Sequence, residues 1–259
     1  MGLNMDINQV ALASLHKYDG KRRRPLTLAE IGQIAGRAGR YKKDGTFGVT
    51  ADVASLDQEA VDAIENHNFP SVKKISWRNS KLHFQNINAL IQSLEAPSPH
   101  PMLQKGRPAD DYNTLCRMRH REDVMKRLTS PIALKMLWEI CQIPDFRKTM
   151  TDSHYDLVAQ VFTNLMDRGY VPDDIIERSL RRLQNEQGDV DTLMNRIAHI
   201  RTWTYITHKN EWLKRGESWS QTARKIEDQL SDALHNALTK RFVDRRSAFL
   251  LKAMANDTE

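Results

Sequence analysis

Residues 33–40 read Gln-Ile-Ala-Gly-Arg-Ala-Gly-Arg, two Gly-Arg pairs separated by one alanine. Just upstream, Thr27-Leu28-Ala29-Glu30 has the form of a capping box. In that box the Thr27 hydroxyl accepts from the Glu30 backbone N–H, and the Glu30 carboxylate reaches back to the start of the helix. A helix is therefore predicted from residue 28 through the Gly-Arg pairs, with Gly39 near its end. On such a helix Gln33, Gly36, Arg37 and Arg40 stand at i, i+3, i+4 and i+7 and share one face. Ile31, Ile34, Ala35 and Ala38 fall on the other side, where they can pack on a sheet. Gly36 leaves room for a partner to approach. Arginine stays charged and binds two oxygens at once, which suits a phosphate. A pair aimed at a transferred phosphoryl group would stabilise charge in its transition state. The alternative is an ordinary glycine-rich helix end with two solvated arginines.

The flanking pattern is α/β. Residues 7–15, INQVALASL, read as a short buried strand, and 45–50, GTFGVT, as a second. The basic loop HKYDGKRRRP lies between the first strand and the helix. A polar helix is predicted at 56–67, before Pro70. Strand, helix, strand, helix is too few strands for a complete α/β domain, so residues 1–68 are expected to be part of one, truncated at its N-terminus.

From residue 69 to 259 helical spacing takes over. Ile87, Leu90, Ile91 and Leu94 form one stripe. A Pro-rich connection follows at 96–111. Ser130 and Pro131 mark a helix start, and that helix stops before Pro144. A helix at 153–168 ends at Gly169. Pro172 opens the next, predicted to run to about Gly188, and two long amphipathic helices occupy 190–214 and 219–252. The fold class expected is mostly α with a small α/β part.

Composition narrows the partners. The 259 residues are 40% hydrophobic and carry a net charge of +6. Lys17, Lys21, Arg22, Arg23, Arg24, Arg37, Arg40, Lys42 and Lys43 crowd the first fifty residues, against Asp6, Asp19, Glu30 and Asp44. Lys240, Arg241, Arg245 and Arg246 form a second basic run. Such clusters suit a phosphate-bearing partner or a solvated face. The opening MGLNMDINQV has no secretory character, and no apolar run is long enough to span a bilayer. Cys116 and Cys141 stand outside any CxxC pair and read as free thiols. The histidines lack metal-ligand spacing, so no metal site is expected.

Residues 33–40 resemble motif VI of superfamily 2 helicases, QxxGRxGR. Met1-Gly2-Leu3-Asn4 resembles the end of motif V in the superkiller-like and mitochondrial-degradosome branches. WRNSKLHF, CQIPDFRK, RIAHIRTWTYI and ALTKRFVDRR are similar to segments of bacterial relatives of the mitochondrial-degradosome RNA helicase. The resemblance implies the C-terminal part of an ATP-dependent RNA helicase: a truncated second RecA-like domain over 1–68 and a helical C-terminal region over 69–259. Gln33 would meet the nucleotide or the attacking water, and Arg37 and Arg40 the triphosphate. Gly36, Gly2 and Asn4 would complete the nucleotide contacts. ATP and magnesium would be bound by the full-length protein. The chain has no GxxxxGK[ST] and no DExH-type acidic sequence, so it is expected to be inactive in ATP hydrolysis by itself. Single-stranded or partly duplex RNA is the implied substrate, DNA the alternative, a ribonuclease a partner, and a bacterial cytoplasm the location.

Arg196, His199, Arg201, Trp203, Tyr205, His208, Lys209 and Trp212 interleave basic and aromatic residues. Arg201, Trp203, Lys209 and, on the last helix, Arg245 are the candidates for RNA contact. The structural alternative puts the tryptophans in a core and the cations outside. Asp173 and Asp174 follow Pro172 at a helix start, where they complement the dipole. A second functional hypothesis is a non-enzymatic RNA-binding or adaptor module that keeps a helicase tail.

Overall fold

In the computed structural model, residues 7–19, 22–39, 43–147 and 152–256 are described, with side chains through 241. The chain forms two compact units, Met1–Ile75 and Ser76–Glu259.

In the first unit, β1 (Gln9–Leu12) pairs in parallel with β4 (Thr46–Val49), Leu12 opposite Val49. Between them come a hairpin, β2 (His16–Tyr18) and β3 (Arg23–Pro25), and the helix α1 (Leu28–Ala35). The helix α2 (Gln58–Glu65) follows, its first turn capped by the Asp57 carboxylate, which accepts from the Ala60 N–H at 2.7 Å. The core is small: Leu12, Ile31, Ala35 and Ile64, flanked by Leu15, Leu26, Phe47, Val49, Leu56 and Phe69.

The second unit is helical apart from one small sheet, β5 (Ile75–Trp77) with β6 (Leu103–Lys105). Its helices are α3 (Ile87–Glu95), α4 (Asp110–Met118), α5 (Glu122–Met125), α6 (Pro131–Cys141), α7 (Asp152–Arg168), α8 (Asp173–Leu183), α9 (Val190–Thr207) and α10 (Gly216–Asn256). Side-chain caps set several starts. Asn86 accepts from Ala89 N–H, Ser130 from Ala133 N–H with Pro131 behind it, and Asp189 from Thr192 N–H. Phe162, Leu90, Leu115, Met118, Leu137, Ile140, Ile176, Ile200, Ile206 and Leu230 are fully buried. Each such side chain contributes about 1.5–3 kcal/mol by leaving water. The chain is thus mostly helical with a small α/β part.

Several local expectations change. The helix through the Gly-Arg pairs stops at Ala35, and Ile34 is solvent-exposed. Only Leu12 of β1 is buried. The basic loop contains the β2–β3 hairpin, and the Pro-rich connection contains β6. α8 ends at Leu183, five residues before Gly188, and α9 at Thr207.

Among the described residues no helix is long and apolar enough to cross a membrane.

Candidate functional site

The capping box forms as expected. The Thr27 hydroxyl accepts from Glu30 N–H at 3.3 Å, and the Glu30 carboxylate accepts from Thr27 N–H at 2.9 Å. The same carboxylate takes two hydrogen bonds from Arg24 and an ion pair from Lys17 at 2.5 Å. Two cations of the basic loop are therefore spent on fixing the hairpin to α1. Arg22 and Arg23 remain exposed.

Past Ala35 the backbone tightens. Arg37 N–H donates to Ile34 carbonyl at 3.1 Å and Ala38 N–H to Ala35 carbonyl at 2.9 Å, spacings of three residues. Gly39 then turns left-handed with φ +81°. Its N–H donates to Ile7 carbonyl at 2.7 Å, and Thr46 N–H donates to Asn8 carbonyl at 2.9 Å. The Gly39 bond ties the Gly-Arg segment to the residues that lead into β1, and the Thr46 bond ties the start of β4 to them. Glycines at 36 and 39 lower helix propensity, and the Ile7 carbonyl takes the Gly39 N–H that a longer helix would otherwise use. The helix expected to carry Gln33, Gly36 and Arg37 on one face ends before Gly36. Gln33 lies on the exposed side of α1, Gly36 caps it, and Arg37 stands in the turn beyond. Ala38, placed on the packed side by helical spacing, also lies in this turn. Gln33, Gly36 and Arg37 are all exposed, and Arg37 has no ion-pair partner among the described residues. Arg40, Gly2 and Asn4 lie outside the described residues.

The second set of candidates lies in the helical unit. Trp203 is 6% exposed and belongs to the core, so a base reaches its ring only if that packing opens. Arg201 pairs with Glu227 at 3.1 Å. Lys209 pairs with Glu139 at 2.5 Å and stands 5.5 Å from the centre of the Trp212 ring. The hydrogen bond to Glu139 raises the Lys209 pKa above its ordinary value. These partners are far away in sequence, so nothing local to residues 196–212 reveals them. The Arg245 side chain lies outside the described residues. Asp173 accepts from the Trp219 indole N–H at 2.8 Å, a fastening of α10 to α8 that helix-start chemistry alone does not indicate. Among the described residues no three His, Cys, Asp or Glu side chains gather as a metal site.

No family model and no solved structure matches the chain. Short stretches do match curated proteins. Over 59 residues the chain is 50% identical to the "DExH-box ATP-dependent RNA helicase DExH16, mitochondrial" of Arabidopsis thaliana, covering 23% of this chain and 10% of that protein. Over 41 residues it is 58% identical to the "ATP-dependent RNA helicase SUV3, mitochondrial" of Oryza sativa subsp. japonica, covering 16% and 7%. The SUV3 helicase of Saccharomyces cerevisiae is 34% identical over 74 residues, covering 29% and 9%. The chain spans a tenth or less of the length of these relatives. They are mitochondrial proteins of plants and yeast, which corrects the expectation of a bacterial cytoplasmic protein. Charge and composition describe solubility and partners, and carry no mark of the compartment. The chain is related to the superfamily 2 RNA helicases of the SUV3 type.

Proposed function

We propose that this chain is the C-terminal portion of an ATP-dependent RNA helicase, with residues 1–68 the end of its second RecA-like motor domain. In this reading Gln33 and Arg37 line the nucleotide side of that domain with Arg40, Gly36, Gly2 and Asn4. The observation that carries it is the placement of Arg37. It is exposed at the end of a capped helix beside a parallel strand pair, and Gln33 is exposed one turn before it. An exposed guanidinium on a braced turn suits a triphosphate arriving from a facing domain. The helicase relatives support ATP and RNA as the ligands.

ATP supplies the phosphoryl group and magnesium its charge neutralisation. This chain's part is to hold positive charge near the transferred group through Arg37 and Arg40, and to orient nucleotide or water through Gln33. The phosphate cradle and magnesium ligands are assigned to other parts of the parent, since GxxxxGK[ST] and the DExH sequence do not occur here.

In a longer parent containing those motifs, Arg37→Ala or Arg40→Ala should lower RNA-stimulated ATP hydrolysis by about 10³-fold or more while RNA binding persists. Equal turnover in the wild type and both variants overturns the assignment. The 259-residue chain by itself should show no turnover above background. The non-enzymatic reading draws on the size of the helical unit, and RNA binding without any effect of Arg37 or Arg40 on the parent's turnover would favour it.

A further inference from the structure

We propose that a cleft in the helical unit, bounded by β5, β6, the end of α3 and the start of α4, is a subsite for one unpaired nucleotide of single-stranded RNA. The identity of the strand rests on the helicase reading above; the cleft itself involves none of the Gly-Arg residues.

The cavity measures about 390 Å³, and its walls include Trp77, Leu94, Glu95, Lys105, Arg107 and Tyr112. That is the small end of the range for ligand cavities, about 300–1,000 Å³. It suits one ring with its sugar or phosphate better than a longer segment. The walls are tied together from several directions. Gly106 N–H donates to Trp77 carbonyl at 2.8 Å. Lys105 Nζ donates to the Glu95 carbonyl at 2.6 Å, across the end of α3. The Tyr112 hydroxyl donates to the Glu95 carboxylate. Arg78, which also lines the cleft, holds Asp111 with two hydrogen bonds, 2.8 and 2.9 Å, and lies 5.4 Å from the centre of the Trp138 ring.

Trp77 and Tyr112 thus line a preformed recess together with Lys105. Unpaired bases bind on aromatic rings, with cations taking the adjoining phosphates. The acids nearby do not cancel this arrangement. Asp111 is matched by Arg78, and the Glu95 carboxylate retains an oxygen able to accept from a base amino or imino group. Among the described residues Glu95 is the one acid that lines the cleft. A free nucleotide shares this chemistry, so the test must separate the two sources.

The full 259-residue chain would be titrated against a fluorescein-labelled oligouridylate of about twelve nucleotides, with uridine monophosphate as competitor. Trp77→Ala should weaken strand binding about tenfold, while Trp77→Phe keeps most of it. Lys105→Gln should weaken binding and lower the salt slope by about one. Near-ultraviolet circular dichroism shows whether each variant keeps its packing, and the Phe and Gln variants carry the test if Trp77→Ala does not. The proposal is overturned if wild type fails to bind the strand, or if folded Trp77 and Lys105 variants bind like wild type. It is also overturned if the monophosphate displaces the strand at equal nucleotide concentration, which would assign the cleft to a free nucleotide. Failure of the helicase reading is seen separately, as ATP turnover in the longer parent that ignores Arg37 and Arg40.

Discussion

Arg24 and Glu30 meet through two parallel hydrogen bonds, Nη1 to Oε2 and Nη2 to Oε1, each 2.8 Å long. One carboxylate therefore caps α1 and anchors the β2–β3 hairpin to it. The Arg24 bonds first, then Lys17 and the Thr27 N–H, hold the Glu30 carboxyl well below the usual carboxylate range. A group whose pKa is lowered by folding stabilises the fold above its unfolded value, about 4.3 for glutamate, and loses that contribution as pH falls toward the folded value. Glu30→Gln should melt earlier than wild type near neutral pH, with the difference shrinking below about pH 4. Identical melting at neutral pH would contradict the shared role of this carboxylate.

Gly39 and Gly169 both adopt positive φ, +81° and +76°, in different surroundings. A Cβ on Gly169 meets nothing within 4 Å, whereas one on Gly39 would stand 2.4 Å from the Lys43 carbonyl oxygen. Gly169→Ala should cost about 1–2 kcal/mol, the strain of a left-handed backbone alone. Gly39→Ala should cost more, because the backbone at Lys43 must also move. Urea denaturation followed separately for the two units measures both, and a smaller loss at Gly39 would contradict the close approach.

Phe162 is fully buried in the helical core, and Phe146 is 43% exposed. Phe162→Ala should lower stability by about 3–5 kcal/mol through lost burial and the cavity left behind. Phe146→Ala should lower it far less. Comparable losses in chemical denaturation would show that the core is centred elsewhere.

His154 is 3% exposed, and its Nε2 has no hydrogen-bond partner among the described residues. Burial lowers its pKa, with Asp145 opposing and Arg147 reinforcing the shift; burial lowers His199 as well. The fold therefore favours neutral imidazole, while the unfolded chain takes up a proton near pH 6.5. The resulting stability is present above about pH 6.5 and declines as pH falls below it. The urea midpoint should drop between about pH 7.5 and pH 5.5, and drop less in His154→Leu. A pH-independent midpoint would mean that His154 is protonated without penalty.

Much of the helical framework was legible in the order of residues because its signals act within one turn. Thr27 with Glu30, Ser130 with Pro131, and Gly169 each satisfy or end local backbone hydrogen bonds. The Gly-Arg motif was likewise visible as chemistry. Its geometry was not, because at Gly39 the helix period gives way to a left-handed turn and a hydrogen bond to the Ile7 carbonyl. The same holds for Lys209 with Glu139, Arg201 with Glu227, and the cleft that joins Trp77 to Tyr112. The sequence by itself determined which side chains carry charge, where helices start and where the chain must bend. The tertiary structure alone decided which charges are neutralised, which rings are covered and which recess stays open, because those depend on partners brought together from distant parts of the chain.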